Sequence, residues 1–210
     1  MARPLQTATL FLTLGGAAIS GSAGAACGNT YYPVKEGLSR TYRTTVNGQA
    51  VTYTETIRGV SARGFTLATS LANTTVRYTC GPKGVTGTPA VSTPGVKVAS
   101  LTLRGVTQPP ALKVGTSWTS GVTLKGSAQG QAFTNTTDIV SRVVGRERVR
   151  VPAGSFDALK VQISTTIKIT TPGASVPPTR LQAYAWVASG VGTVKSQADK
   201  TVVELVKFSK

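Results

Sequence analysis

Leu159-Lys160-Val161-Gln162-Ile163-Ser164, resumed after two threonines as Ile167-Lys168-Ile169-Thr170, sets apolar side chains at odd positions and polar ones at even positions. A two-residue period is the mark of a strand with one buried and one wet face, because successive side chains leave opposite sides of the pleat. Working outward, the same period returns in Val51-Thr52-Tyr53-Thr54-Glu55-Thr56-Ile57, and Val202 to Phe208 reads as a closing strand. Turn chemistry separates the runs at Asn47-Gly48, Arg63-Gly64, Gly81-Pro82, Pro109-Pro110, Pro152-Ala153-Gly154, Pro172-Gly173 and Pro177-Pro178. No stretch after residue 26 carries a sustained 3.6-residue apolar period with caps. The pattern predicts a mainly β protein, an antiparallel β-barrel or half-barrel with a β-sandwich as the alternative, in which only a signal peptide is helical.

The chain begins with an export address. Arg3 forms a short positive region, Leu5 to Ile19 is apolar, and Ala23-Gly24-Ala25 is a small-x-small cleavage site, so residues 1–26 read as a removed signal peptide. The apolar run is shorter than the roughly 20 residues that a membrane span requires, and no transmembrane span is expected in residues 27–210. Those residues are enough for one antiparallel domain with a core of its own. Gly81 to Val98, rich in Gly, Pro, Thr and Ser, reads as a long exposed loop between two halves. The halves share a likeness: Tyr32-Pro33-Val34-Lys35-Glu36-Gly37-Leu38-Ser39-Arg40-Thr41 aligns with Pro110-Ala111-Leu112-Lys113-Val114-Gly115-Thr116-Ser117-Trp118-Thr119, with Lys, Gly, Ser and Thr in matching places.

Export makes a Cys27 to Cys80 disulfide the default pairing of the two cysteines. Closing that loop removes about 4 kcal/mol of unfolded-state entropy in the chain-entropy model. The competing possibility is a lipidated Cys27, since Ala25-Ala26-Cys27 offers the small residues that lipoprotein processing favours.

Val149-Arg150-Val151-Pro152-Ala153-Gly154-Ser155-Phe156-Asp157-Ala158, then Tyr184-Ala185-Trp186 leading to Gly190-Val191-Gly192-Thr193-Val194-Lys195, resembles the paired signatures of a group of bacterial envelope β-proteins. In that group a VPAG[ST]F[DE]A hairpin precedes an aromatic strand ending in GVG.VK, and the mature domain opens on a YYP segment like Tyr31-Tyr32-Pro33. The resemblance implies a β fold and an exported location, and it carries no activity with it.

Chemistry is conspicuous by its absence. The chain has no histidine, which removes Ser-His-Asp, Cys-His and His-based zinc arrangements. No Ser-x-x-Lys occurs, and the carboxylates Glu36, Glu55, Asp138, Glu147, Asp157, Asp199 and Glu204 are dispersed, as surface ion-pair partners usually are. Gly190-Val191-Gly192 lacks the third glycine and the following helix of a phosphate cradle. The expectation is a protein without catalysis, cofactor or metal.

Charge is the remaining clue. The chain has 23 Lys and Arg against 7 Asp and Glu, a net of +16, of which only Arg3 falls in the leader. Arg146, Arg148 and Arg150 stand at alternate positions of one strand and would form a basic stripe, extended by Arg142 and Lys160, facing anionic envelope polymers or envelope proteins. Specific nucleic-acid binding is not expected, because aromatics make up only 6% of the chain and Trp118 and Trp186 fall in strand patterns that fill a core. The reading is therefore a non-catalytic, exported envelope scaffold or binding component in the periplasm, outer envelope or extracellular space. The alternative is a periplasmic carrier of a lipid or other hydrophobic ligand, held on a concave face by Val161, Ile163, Ile167, Ile169, Tyr184 and Trp186. Ligand identity and oligomeric state stay open.

Overall fold

The computed structural model of the chain describes residues 27–46, 49–71, 74–89 and 95–209. The expected signal peptide and the Asn47-Gly48 turn lie outside them. Alternating sequence joined by tight turns leaves each strand one easy partner, its neighbour in the chain. The result is a meander of β1 (Ser39–Val46), β2 (Gln49–Ser61), β3 (Gly64–Thr69), β4 (Thr74–Gly81), β5 (Gly84–Pro89), β6 (Val96–Gly105), β7 (Ser117–Ala128), β8 (Gln131–Val151), β9 (Gly154–Thr171), β10 (Ala174–Ser175), β11 (Thr179–Ala188), β12 (Gly192–Ala198) and β13 (Thr201–Ser209). No α-helix occurs among the described residues.

All pairings are antiparallel, in the order β5-β4-β3-β2-β1-β13-β12-β11-β9-β8-β7-β6, with the two-residue β10 beside β9. β1 and β13, far apart in the chain, pair from Ser39 opposite Ser209 to Thr44 opposite Val203. The ring then nearly closes between β5 and β6. Val85 N donates to Gln108 O at 2.8 Å, and Val85 O accepts from Thr107 N at 2.8 Å and Gln108 N at 3.1 Å. Gly84 is required at this junction: its φ is +123° and a Cβ would collide with the Gln108 carbonyl oxygen. The fold is thus a nearly closed barrel, not a sandwich.

Gly81 to Val98 departs from its expected role as a long loop. Most of it is the end of β4, a two-residue turn, β5 and the start of β6. Its Gly, Pro and Thr content signalled a loop, whereas the register needs small residues there: a Cβ on Gly87 would press into the ring of Tyr78 on the adjacent strand.

The two segments that look alike in sequence also fold alike. Leu38 N donates to Lys35 O and Thr116 N to Lys113 O, at 3.1 and 2.9 Å. Gly37, φ +76°, donates to Ile57 O at 3.0 Å, and Gly115, φ +89°, donates to Val143 O at 2.9 Å. Ile57 and Val143 return bonds to Leu38 O and Thr116 O, and both side chains are fully buried. Each therefore anchors one small core. Ile57 packs with Leu38, Phe65, Leu67 and Val85, and Val143 with Leu112, Leu159, Val161 and Val187. A third core joins Tyr42, Leu205 and Val194 to Val149, Ala158 and Trp186, where the β8–β9 hairpin reaches β13 and Ala153 N donates to Leu205 O at 3.0 Å. Each fully buried branched side chain contributes about 1.5–3 kcal/mol of transfer free energy.

Candidate functional site

One end of the barrel is strapped shut by residues 27–38. Cys27 is bonded to Cys80 of β4, with the Cα atoms 5.2 Å apart. Asn29 Nδ2 donates to Pro109 O at 2.8 Å, while its Oδ1 accepts from the amides of Tyr31 and Tyr32. Gly190 N donates to Thr30 O at 2.8 Å, and Arg146 Nη2 to the Tyr31 hydroxyl at 2.9 Å. Beneath the strap, Tyr32 lies 6.2 Å from the ring of Phe65 and 6.3 Å from that of Tyr78. Arg40 is buried below it: Nε donates to Val191 O at 2.6 Å, Nη2 donates to Pro33 O at 3.3 Å, and the guanidinium sits 5.8 Å from the Tyr32 ring.

Toward the other end, the inner face of β6, β7, β8, β9 and β11 is an apolar trough. Register sets Leu101, Leu124, Asn135 and Ile169 in one row. Leu103, Val122, Thr137 and Ile167 form the next, followed by Ile139, Thr165 and Leu181. In a closed core such branched side chains would be fully buried. Here most are half-buried, and at the rim Val98, Ile169 and Leu181 are 43%, 41% and 48% exposed. A cavity of about 190 Å3 lies between this trough and the opposite wall, lined by Leu103, Val122 and Ile139 on one side and Val76 and Tyr78 on the other. A second hollow of about 490 Å3 opens at the hairpin tips beside Gly126, Phe133 and Pro172.

The concave residues anticipated from sequence divide. Val161, Ile163, Ile167 and Ile169 share the inner face, with Val161 and Ile163 toward the strapped end. Tyr184 and Trp186 belong to the opposite face, since they pair with Gln162 and Lys160 while Ala185 pairs with Val161. There Trp186 Nε1 donates to Glu147, whose carboxylate also meets Lys160 at 3.7 Å.

The basic stripe divides as well. A bulge between Val143 and Gly145 shifts the β8 register, so Arg146, Arg148 and Arg150 pair with Leu159, Asp157 and Ser155, whereas Arg142 pairs with Gln162. Arg142 and Lys160 therefore face away from the other three and do not extend the stripe. Lys160 is further occupied, 5.0 and 5.2 Å from the rings of Tyr184 and Trp186. Arg146, Arg148 and Arg150 are exposed, and Arg146 spends one donor on Tyr31.

Sequence reasoning missed the interior charge. Glu55 pairs with Arg40 across β1 and β2 on the same face as Tyr42 and Tyr53, whose rings are 5.5 Å apart. Burial raises the Glu55 carboxyl above its ordinary range, partly offset by Arg40, and burial raises the phenols of Tyr32, Tyr42, Tyr53 and Tyr78. No group of three potential metal ligands gathers among the described residues, and none of their helices is long and apolar enough to cross a membrane.

A nearly closed antiparallel barrel, strapped at one end and apolar within, defines a class of shape rather than an activity. Comparison adds names to that shape. The sequence profile of the DUF3108-like family matches residues 107–205. Among solved structures, a Bacteroides fragilis protein described as exported and as having a YmcC-like fold aligns over 85% of this chain and 98% of its own. Its identity is 16% and its TM-score 0.50. A Parabacteroides distasonis protein described as a lipoprotein aligns over 87% of this chain and 99% of its own, at 16% identity and TM-score 0.50. These likenesses establish the fold. No curated protein matches the sequence.

Proposed function

We propose that this protein is a non-catalytic component of the bacterial envelope that holds an amphiphile, its chain lying in the apolar trough. The observation that carries the reading is the row structure of β6 to β9 and β11, where leucine, isoleucine and valine side chains share one face yet stay half-exposed beside open volume. Apolar side chains left part-wet on a concave face gain by burying a ligand, at about 25 cal/mol per Å2 of apolar surface covered. The export signal expected from sequence and the descriptions of the aligned proteins support the envelope as its place of action.

The test uses dodecyl maltoside, a neutral single-chain amphiphile, below its micelle concentration. Native mass spectrometry is expected to show one bound molecule, and Ile139→Gln combined with Ile167→Gln to weaken binding by about tenfold or more. Wild-type protein that takes up none, or a double variant that binds equally well, overturns the reading. A second reading, contact with anionic envelope polymers, is favoured by the exposure of Arg148 and Arg150 on one face without an ion-pair partner among the described residues.

A further inference from the structure

The outer face of β2, β3 and β4 carries a hollow unlike the apolar trough. Ile57, Phe65, Leu67 and Tyr78 of these strands pack in the core, so by alternation Arg58, Thr66 and Arg77 stand on the other face. Register sets them in one row, Arg58 opposite Thr66 and Thr66 opposite Arg77. The next row on that face has Ser61 opposite Gly64 and Gly64 opposite Thr79. Over the two rows lies a hollow of about 230 Å3, lined by Arg63, Thr66, Arg77 and Thr79 together with Gly59 and Ser61. Arg63 belongs to the β2–β3 turn, where its amide donates to Ser61 Oγ at 3.3 Å and its carbonyl accepts from Cys80 N at 2.9 Å, tying the turn to β4. Arg77 leaves β4 itself, a strand paired on both sides. Two guanidinium groups therefore border one hollow from two separate, well-anchored elements.

Their charge is not matched. Arg43 meets Glu204 at 3.9 Å and Arg104 meets Asp138, whereas Arg58, Arg63 and Arg77 have no ion-pair partner among the described residues. No carboxylate lines the hollow. Glu36 approaches β2 at its bulge, where its carboxylate is held by the Val60 amide at 2.9 Å, and three cations against it leave the region net positive. Such a region attracts an anion, and the arrangement of donors selects which. A carboxylate has two oxygens in one plane and is satisfied by a single guanidinium fork. A phosphate monoester presents three terminal oxygens in different directions, which suits forks arriving from two elements with the Thr66 and Thr79 hydroxyls beside them.

We propose that this hollow is a binding site for a phosphate monoester group, held by Arg63 and Arg77 with the hydroxyls of Thr66 and Thr79, and with Arg58 adding to the positive field. It depends neither on the trough nor on the Arg146, Arg148 and Arg150 stripe, which belongs to β8. Glycerol 3-phosphate is the probe for a free ester, and phosphatidylcholine vesicles carrying phosphatidic acid are the probe for the same group on a lipid, both at physiological ionic strength. In calorimetry the unmodified chain is expected to bind glycerol 3-phosphate about tenfold more tightly than glycerate, its carboxylate counterpart. Arg63→Gln combined with Arg77→Gln should weaken phosphate binding about tenfold. Lys113→Gln combined with Lys200→Gln removes the same charge from exposed positions elsewhere and should leave binding within about twofold. Thr66→Val combined with Thr79→Val, which keeps every charge, should weaken it about threefold. If only the vesicles bind, with the same dependence on Arg63 and Arg77, the ester is that of a lipid head group and the site stands. Equal affinity for glycerol 3-phosphate and glycerate overturns it, a comparison that needs no variant to fold. Equal losses in the arginine and lysine variants overturn it too, since attraction to the net charge of +16 would then suffice. So does failure of both probes to bind.

Discussion

Gly192 and Arg40 show how a single position can be dictated from across the chain. Gly192 has φ +101°, a conformation that L side chains rarely adopt, and a Cβ there would lie 3.0 Å from Arg40 Nε and Nη2. The backbone bends so that the Val191 carbonyl accepts from the buried guanidinium, which otherwise would leave that donor unpaired. Gly192→Ala is expected to cost about 1–3 kcal/mol in denaturant unfolding, from left-handed strain and displacement of Arg40 together. Unchanged stability would show that the guanidinium moves aside freely. The glycine was legible, because Gly190-Val191-Gly192 announced a bend. Its partner was not: Ser39-Arg40-Thr41-Tyr42 alternates like any strand, and a lone arginine there reads as a wet-face residue. Glu55 was hidden for the same reason, since only the curl of the sheet turns its side of β2 inward.

At the level of elements, periodicity located strands well and their faces less well. β2, β9 and β13 fall where alternation placed them, because a half-buried strand must alternate. Bulges defeated the next step. Arg142 and Arg146 have the same parity in sequence, yet one extra residue at Val143 to Gly145 turns them to opposite sides. Glycine and proline misled in the other direction at β5, where small residues serve close packing within a strand. The strap was legible through chemistry, with export and two cysteines pointing to the Cys27–Cys80 bond. Cys27→Ser combined with Cys80→Ser should lower stability by about 2–5 kcal/mol, measured as a shift in the denaturant midpoint. A midpoint within error of wild type would mean that Asn29, Thr30 and Tyr31 hold the strap unaided.

Over the whole molecule, the sheet is a meander whose early and late strands meet at β1 and β13, while its seam falls in mid-chain between β5 and β6. Tyr42 paired with Leu205 and Arg40 with Phe208 are contacts of high sequence separation, which places the fold among slow-folding topologies. Alternation revealed a barrel-like sheet but not where it would close, because closure runs through a few bonds of Val85, Thr86 and Gly87 to Gly105, Thr107 and Gln108 that no periodicity marks. The net charge also acts at this scale, through a long-range field that salt screens. Replacing Arg146, Arg148 and Arg150 together by Ser should weaken retention on isolated cell envelope, measured as the salt concentration that releases the protein. Equal retention at low salt would remove the stripe from polymer binding. The disulfide gives the molecule a mechanical property besides stability. A pull applied at Cys27 passes through a covalent bond into β4, a strand hydrogen-bonded on both sides next to the seam, so the load bypasses the hydrogen bonds of the strap. Held by that residue, the barrel can bear tension without its stopper being drawn out, and reduction would turn the same pull into peeling.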